Sequence, residues 1–234
     1  MGEKVLMSSK IFISVGHGGS DVGAVAVDGS YEKDIALEIA LNLRSELNRH
    51  GVEVAMSREK DETDKVASEV AECNAFKPDY GVSIHLNACA SHEGEGFEVF
   101  HSINPKSAGV SLAKNINDVI VANGIKSRGL KTRVNSRNKD YFAWIRQTDA
   151  PVVLCEIGFI DNKDNYAELD TAAERKQMAI YLAQGILKTL GIEYVPEVKA
   201  LYTVQCGVFS VKENAYALAE KLKKDGYEAI VTVR

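Results

Sequence analysis

The chain has 234 residues, 45% of them hydrophobic and 26% charged, which suits one medium-sized domain with a small additional unit. Its formal net charge of −5 argues against nucleic acid or an anionic membrane as the main partner. No apolar run approaches the ~20 residues that a membrane span needs. Residues 1–10 lack a signal-peptide core and are predicted to be disordered, so we expect synthesis in the cytoplasm without a signal peptide.

Apolar stretches typical of strands alternate along the chain with amphipathic stretches typical of helices. Strands are predicted at 11–15, 52–56, 80–86, 96–101 and 151–155. Helices are predicted at 32–50, 61–76, about 112–122 and 171–190, with a polar basic stretch at 126–140. This alternation predicts an α/β fold, with a twisted, mainly parallel sheet covered by helices on both faces. The four cysteines have irregular spacings and are expected to be free thiols.

The C-terminal part of the chain is predicted to be a separate unit. The expected domains are residues 1–193, a linker at 194–200 and a small C-terminal βαβ unit at 201–234. Within that unit, strands are predicted at 201–208 and 227–233, on either side of a helix at 212–225.

A histidine between glycines follows the first predicted strand. His17 stands between Gly16 and Gly18, where the backbone can turn sharply and another group can approach closely. Glu32 opens the first helix, and His85 ends the third strand. The carboxyl ends of parallel strands and the following helix N-termini share one edge of a sheet, so these side chains are expected to converge.

Two imidazoles and one carboxylate, with a fourth position open, form the ligand set of a catalytic zinc site. Glu156 follows the most buried strand and is expected at the same edge, where a carboxylate can act as general base and acid. Each residue also has a simpler interpretation. Glu32 suits the positive end of its helix, His85 suits a polar core position, and Glu156 could pair with an arginine. A nucleotide site is not supported, because G-x-G-x-x-G and a P-loop lysine are absent.

A series of motifs carries a family resemblance. These are Gly16-His17-Gly18-Gly19-Ser20-Asp21-Val22-Gly23-Ala24, Glu32-Lys33-Asp34, Ser83-Ile84-His85-Leu86-Asn87-Ala88, Arg128-Gly129-Leu130-Lys131 and Pro151-Val152-Val153-Leu154-Cys155-Glu156-Ile157-Gly158-Phe159-Ile160-Asp161-Asn162. In this order, over roughly residues 10–190, they resemble the zinc-dependent N-acetylmuramoyl-L-alanine amidases of the Amidase_3 family.

The resemblance implies a peptidoglycan hydrolase that cleaves the amide between N-acetylmuramic acid and L-alanine with zinc-activated water. It implies that His17, Glu32 and His85 hold Zn²⁺ and that Glu156 is the catalytic carboxylate. Asn87 and Arg128 would lie near the substrate.

Two departures from the family pattern are visible. Ser14 stands where the family usually has an aspartate, and Glu69 lies near the position of a usual arginine. Neither departure touches an expected zinc ligand.

The C-terminal segment resembles the first half of a SPOR peptidoglycan-binding domain, with Leu201-Tyr202-Thr203-Val204-Gln205-Cys206-Gly207-Val208-Phe209-Ser210 at its start. The SPOR pattern is βαββαβ, whereas residues 201–234 supply βαβ. About 34 residues bury too little surface to fold alone, so we expect two copies of the chain to pair as a homodimer through residues 201–234.

A wall hydrolase without an export signal must be released before it reaches its substrate. We therefore expect a phage endolysin, with an amidase freed by lysis of a bacterial mother cell as the alternative. A non-catalytic peptidoglycan-binding protein is a further alternative, although all four expected catalytic residues are present.

Overall fold

The computed structural model describes residues 8–197 and 204–233. The expectations of disorder at residues 1–7 and of strand at residues 201–203 lie outside the described residues. Inter-residue contacts divide the chain between Val195 and Pro196 into two units, which are taken separately below. The predicted domain limits at 193 and 201 stay predictions.

The first unit is an α/β layer structure with six strands and six helices among its described residues. The strands are β1 (Lys10–Val15), β2 (Glu53–Met56), β3 (Tyr80–Asn87), β4 (Phe97–Phe100), β5 (Ser127–Lys131) and β6 (Val152–Phe159). The helices are α1 (Glu32–Arg49), α2 (Val66–Phe76), α3 (Gly109–Ala122), α4 (Ala143–Gln147), α5 (Lys163–Tyr166) and α6 (Ala172–Leu190).

The six strands form one sheet in the order β2-β1-β3-β6-β4-β5. All neighbouring strands are parallel except β4 and β6, which are antiparallel. The predicted α/β class with a mainly parallel sheet is therefore confirmed. Within the described residues, no helix combines the length and apolar character that membrane crossing requires.

The two faces of the sheet carry unequal cores. The larger core packs strand side chains against α1, α3 and α6, with Ile39, Leu43, Ile116 and Leu182 fully buried. The smaller core lies on the opposite face, against α2 and α4. Its buried members are Phe12, Val70, Cys73, Trp144, Ile145, Val152 and Leu154.

Successive side chains of a strand point to opposite faces of the sheet. A residue two positions after a strand residue of the smaller core therefore lies on the same face as that core. Ser14 follows Phe12 in β1, and Glu156 follows Leu154 in β6. Polar side chains therefore occupy this face of the sheet beyond the end of its apolar core, toward the carboxyl ends of the parallel strands.

Three predicted elements of the first unit differ from the structure. The second helix begins at Val66 and not at 61, because Asp61 is held by the Lys33 ammonium and the Gly19 amide. The strand predicted at 151–155 extends to Phe159, because β3 and β4 both pair with it around Glu156. The polar stretch at 126–140 contains β5, an edge strand that pairs with β4 despite having no apolar alternation.

In the second unit, the predicted helix is present as α7 (Lys212–Lys224). The predicted βαβ unit is wrong in its strands, since residues 204–208 and 227–233 are described without strand structure. A strand persists only when its amides and carbonyls pair with a neighbouring strand. No such ladder exists within the described residues of this unit.

Candidate active site

A tight turn at the end of β1 presents the His17 imidazole. The Gly16 amide still donates to the Ile84 carbonyl at 2.9 Å, so the sheet pairing continues up to the turn. His17 itself has a positive φ of 61°, a backbone conformation that costs a non-glycine residue free energy. At Gly23, a Cβ would lie 2.6 Å from Glu32 Oε2 and 2.7 Å from His17 Cδ2, so this position requires glycine.

Glu32, at the first position of α1, stands between the two imidazoles. Its Oε2 lies 3.2 Å from His17 Nε2, and its Oε1 lies 3.2 Å from His85 Nδ1. The Ala24 and Leu86 amides each donate to one of its oxygens, both at 2.9 Å. The carboxylate is therefore fixed by the backbone on both sides while both oxygens face histidine nitrogens.

The electrostatics of this group reflect the close contact. Burial alone would raise the Glu32 pKa, but hydrogen bonds from His17 and His85 hold it far below its usual range. The hydrogen bond to Glu32 raises the His17 pKa to about 9 against the effect of burial. For His85, burial opposes protonation, and contact with Glu32 together with the charge of Glu156 raises its pKa overall. The three groups thus form an electrostatically coupled cluster.

The cluster suits a divalent metal. One ligand atom from each of His17, Glu32 and His85 lies within 4.8 Å of the others. Ligands bonded at 2.0–2.1 Å in a tetrahedron stand about 3.3 Å apart, close to the two 3.2 Å separations between carboxylate and imidazole. The second ring nitrogen of His17 lies 3.0 Å from Asp21 Oδ2 without hydrogen-bond geometry, so Asp21 places a negative charge beside this imidazole.

Glu156 lies in β6 directly opposite His85 in β3 and opposite Glu98 in β4. Its Oε2 is buried and has no hydrogen-bond partner among the residues that the structure describes. Burial is the main cause that raises its pKa to about 7, with Glu32 and Glu98 acting in the same direction and His85 acting against them. The expected position beyond the strand is wrong, but the sheet register places Glu156 beside the cluster.

Asn87 and Arg128, the two residues expected near substrate, meet at one carboxylate. The Asn87 side-chain amide donates to Glu98 Oε1 at 2.9 Å, and Arg128 Nε donates to Glu98 Oε2 at 2.7 Å. The Arg128 guanidinium also lies over the Phe159 ring, 5.1 Å from its centroid. Glu98 therefore fixes both side chains on the same face of the sheet as Glu156.

Sequence reasoning missed Glu98, although a carboxylate between Phe97 and Val99 in an otherwise apolar strand is a usable signal. It also missed Arg58, which is 2% exposed. One Arg58 nitrogen, Nη2, donates to the Gly16 carbonyl at 3.0 Å and to the Lys33 carbonyl at 2.7 Å. This side chain ties the His17 turn to the start of α1.

Ser14 and Glu69, the two residues that depart from the family pattern, contact each other in the structure. The Ser14 hydroxyl donates to Glu69 Oε2 at 2.6 Å, and it lies 3.0 Å from the Ser83 hydroxyl in the next strand. Glu69 is buried, and burial raises its pKa despite the hydrogen bond from Ser14. A hydroxyl–carboxyl contact thus occupies the place where the usual pattern has an aspartate and an arginine.

Comparisons with known proteins agree with this arrangement. Residues 11–188 match the N-acetylmuramoyl-L-alanine amidase family, and residues 199–234 match the SPOR domain. The sporulation-specific N-acetylmuramoyl-L-alanine amidase of Bacillus subtilis is 33% identical over 228 residues, covering 96% of this chain and 85% of that protein. The endolysin of Bacillus phage SPP1 is 34% identical over 190 residues, covering 80% of this chain and 68% of the endolysin.

A solved structure gives the same result for the fold. The catalytic domain of CwlV, an N-acetylmuramoyl-L-alanine amidase from Bacillus (Paenibacillus) polymyxa, aligns with a TM-score of 0.71 at 29% identity. The alignment covers 79% of this chain and 99% of that domain. With a family match over residues 11–188 and relatives that align over most of their length, this chain belongs to the N-acetylmuramoyl-L-alanine amidase family.

Proposed function

We propose that the chain hydrolyses the amide between the lactyl group of N-acetylmuramic acid and L-alanine, with Zn²⁺ held by His17, Glu32 and His85. The observation that supports this most directly is the packing of two imidazoles against one fixed carboxylate beside a buried, unpartnered Glu156. Held by these three side chains, Zn²⁺ would supply a Lewis acid for the scissile carbonyl and would lower the pKa of a water molecule.

Glu156 carries the proton transfers. Its carboxylate accepts a proton from the attacking water as the new carbon–oxygen bond forms at the scissile carbonyl. The same carboxyl then donates that proton to the departing nitrogen of L-alanine as the carbon–nitrogen bond breaks. Burial raises the pKa of Glu156 to about 7 in the metal-free protein, and the charge of a bound cation would lower it toward the carboxylate form that accepts the first proton.

Glu98, Asn87 and Arg128 position the substrate in this proposal. Glu98 accepts from both side chains, which leaves the remaining Arg128 guanidinium N–H groups to contact substrate. The Ala88 amide also donates to the Asn87 side-chain oxygen, so the amide orientation is fixed. Fixed polar groups beside the reacting bond lower the cost of orienting the substrate.

Loss of turbidity of purified cell walls tests the activity. The chain is expected to clear walls when loaded with zinc, to stop when a chelator is added, and to recover when zinc is restored. His85→Ala should lower the zinc bound per chain, whereas Glu156→Ala should keep zinc and lose turnover. A Glu156→Ala variant that clears walls at the normal rate would refute the mechanism, whereas an unchanged, zinc-loaded chain that clears no walls would favour the non-catalytic binding alternative.

The biological setting has two candidates, both requiring release to the cell wall. The endolysin prediction is supported by the SPP1 relative, which matches 80% of the chain. The mother-cell alternative is supported by the sporulation-specific relative, whose 96% coverage must include most of residues 199–234. We propose the mother-cell role on this longer match. Expression that follows phage induction and not sporulation would contradict it.

We propose further that the second unit binds peptidoglycan and pairs with a second copy of itself. Apolar side chains in this unit are largely in solvent, with Val204 at 85%, Ile230 at 83% and Val233 at 95% exposed. Pairing of two copies would bury this surface and give residues 227–233 a strand partner. Analytical ultracentrifugation of the full chain and of residues 1–195 tests the idea, and equal monomer masses would refute it.

A further inference from the structure

A segment of unusual charge lies in the first unit, outside the catalytic cluster. Residues 131–146, here called the basic segment, carry five Lys or Arg and one Asp within a chain of net charge −5. The five cations are Lys131, Arg133, Arg137, Lys139 and Arg146. None of them forms an ion pair with a carboxylate among the described residues, and all but the half-buried Lys131 are exposed.

Asp140, the single acidic residue of the basic segment, accepts hydrogen bonds from outside the segment. Asp140 accepts from the Ser102 hydroxyl at 2.8 Å and from the Ile103 amide at 2.7 Å, so its carboxylate anchors the segment to the loop after β4. Arg146 donates to the Asp140 and Tyr141 carbonyls, and Arg133 stacks on the Tyr141 ring at 3.7 Å. These contacts are neutral or aromatic, so the positive charges remain uncompensated.

The segment is held in a defined shape. The Tyr141 amide donates to the Arg133 carbonyl at 2.8 Å, and the Asn135 amide donates to the Lys139 carbonyl at 2.9 Å. Asn135 Oδ1 accepts from the Arg137 and Lys139 amides at 2.8 and 3.2 Å. Arg133, Arg137 and Lys139 therefore project from a closed hairpin, which lowers the entropy cost of binding a ligand.

Sheet register separates this segment from the catalytic cluster. Glu98 pairs with Glu156, whereas Phe100, at the other end of β4, pairs with Leu154 and Lys131. The Asp140 anchor lies beyond Phe100, so the segment leaves the sheet on the order of 10 Å from Glu156. The carboxylates of a wall peptide lie within a few residues of the bond to be cut. A few peptide residues span about 10 Å, so a single peptide carboxylate can reach the edge of the segment, but five cations together match a ligand that carries several anionic groups.

We propose that the basic segment binds an anionic cell-wall polymer with phosphodiester linkages, as an anchoring site separate from the catalytic site. The inference rests on the proposed function only in that wall digestion brings the enzyme to such polymers. Several Lys and Arg side chains gain affinity for a densely charged polymer by releasing its counterions. The rest of the chain is negatively charged, so it repels the same polymer and orients the basic segment toward it.

Titration with soluble poly(glycerol phosphate) tests the proposal, using the full zinc-loaded chain. The variant Arg133→Gln/Arg137→Gln/Lys139→Gln removes three exposed charges. A matched control, Lys65→Gln/Lys163→Gln/Lys188→Gln, removes three exposed lysines elsewhere in the same unit. At low salt, the first variant should bind about tenfold or more weakly, with a smaller salt dependence, while the control should bind as the unchanged chain does.

Equal affinity of the two triple variants would overturn the proposal. Poly-L-glutamate of matched charge is the second probe, and binding as tight as that of poly(glycerol phosphate) would overturn the assignment to phosphodiesters. Hydrolysis of a soluble muramoyl peptide should be unchanged in the first variant. Absence of that hydrolysis in the unchanged chain would refute the proposed function while leaving the titration result standing.

Discussion

Substitution of Glu156 by Gln should stabilise the metal-free protein at pH 8 but not at pH 4. The Glu156 carboxyl lies in β6 between His85 and Glu98, and its Oε2 is buried without a hydrogen-bond partner in the described part of the chain. Burial, the largest cause, raises its pKa from 4.5 to about 7. Gln has nearly the same shape and does not ionise, so it escapes the cost of placing a charge there.

The sign and size of the effect follow from proton linkage. The folded protein keeps the Glu156 proton up to about pH 7, whereas the unfolded chain releases it near pH 4.5. The stability contributed by the neutral carboxyl is therefore complete below pH 4.5 and is lost as the pH rises through 7. The difference between the two pKa values corresponds to about 3 kcal/mol in the free energy of unfolding.

Urea unfolding of both proteins after chelation, measured from pH 4 to pH 8, provides the assay. Trp144, the single tryptophan, is buried in the smaller core and reports on the first unit. His17, Glu32 and His85 titrate in both proteins. The Glu156 charge also raises the His85 pKa, so the difference between the two curves reports the ionisation of Glu156 together with its coupling to His85. A difference that stays flat across this pH range would refute the argument that burial holds the carboxyl neutral.

Three further substitutions test the architecture around the cluster. Gly16→Ala places a Cβ 2.5 Å from the His85 ring. The displaced imidazole should weaken zinc binding about tenfold or more. A normal zinc content in metal analysis would contradict this expectation. Glu98→Gln should keep zinc but lower kcat/KM about tenfold or more on a soluble muramoyl peptide, whereas the exposed Glu95→Gln control should not. Arg58→Lys loses the forked hydrogen bonds to backbone carbonyls and should cost about 2–3 kcal/mol in urea unfolding, and an unchanged midpoint would show that these bonds contribute little.

The fold of the first unit could be predicted largely from the spacing of hydrophobic residues along the sequence and from the amino-acid composition. Buried parallel strands and amphipathic helices leave strong local patterns, so the α/β class and the main elements follow from the sequence. Strand β5 could not be predicted in this way, because Ser127–Lys131 has no apolar alternation and gains its structure by pairing with β4. The strands predicted in the second unit failed for the opposite reason, since apolar alternation alone supplies no hydrogen-bond partner.

The catalytic cluster is predictable in part because topology brings strand ends together. The shared sheet edge brings together His17, Glu32 and His85, as expected. The sequence does not predict the distances, which are 3.2 Å from each histidine nitrogen to a Glu32 oxygen. Arg58 leaves no sequence signal, because it bonds to backbone carbonyls, which every residue carries. The Ser14–Glu69 contact joins two positions 55 residues apart, a relation that only the fold reveals.

Mass spectrometry of purified walls after digestion tests the central claim most directly. The account predicts that the zinc-loaded chain adds one water at each cut, freeing the amino group of L-alanine and leaving the lactyl carboxylate on N-acetylmuramic acid. Glu156→Gln, tested at equal zinc content, should yield none of these ends. New reducing sugar ends, new amino groups at other residues, or equal products from the Glu156→Gln variant would contradict it.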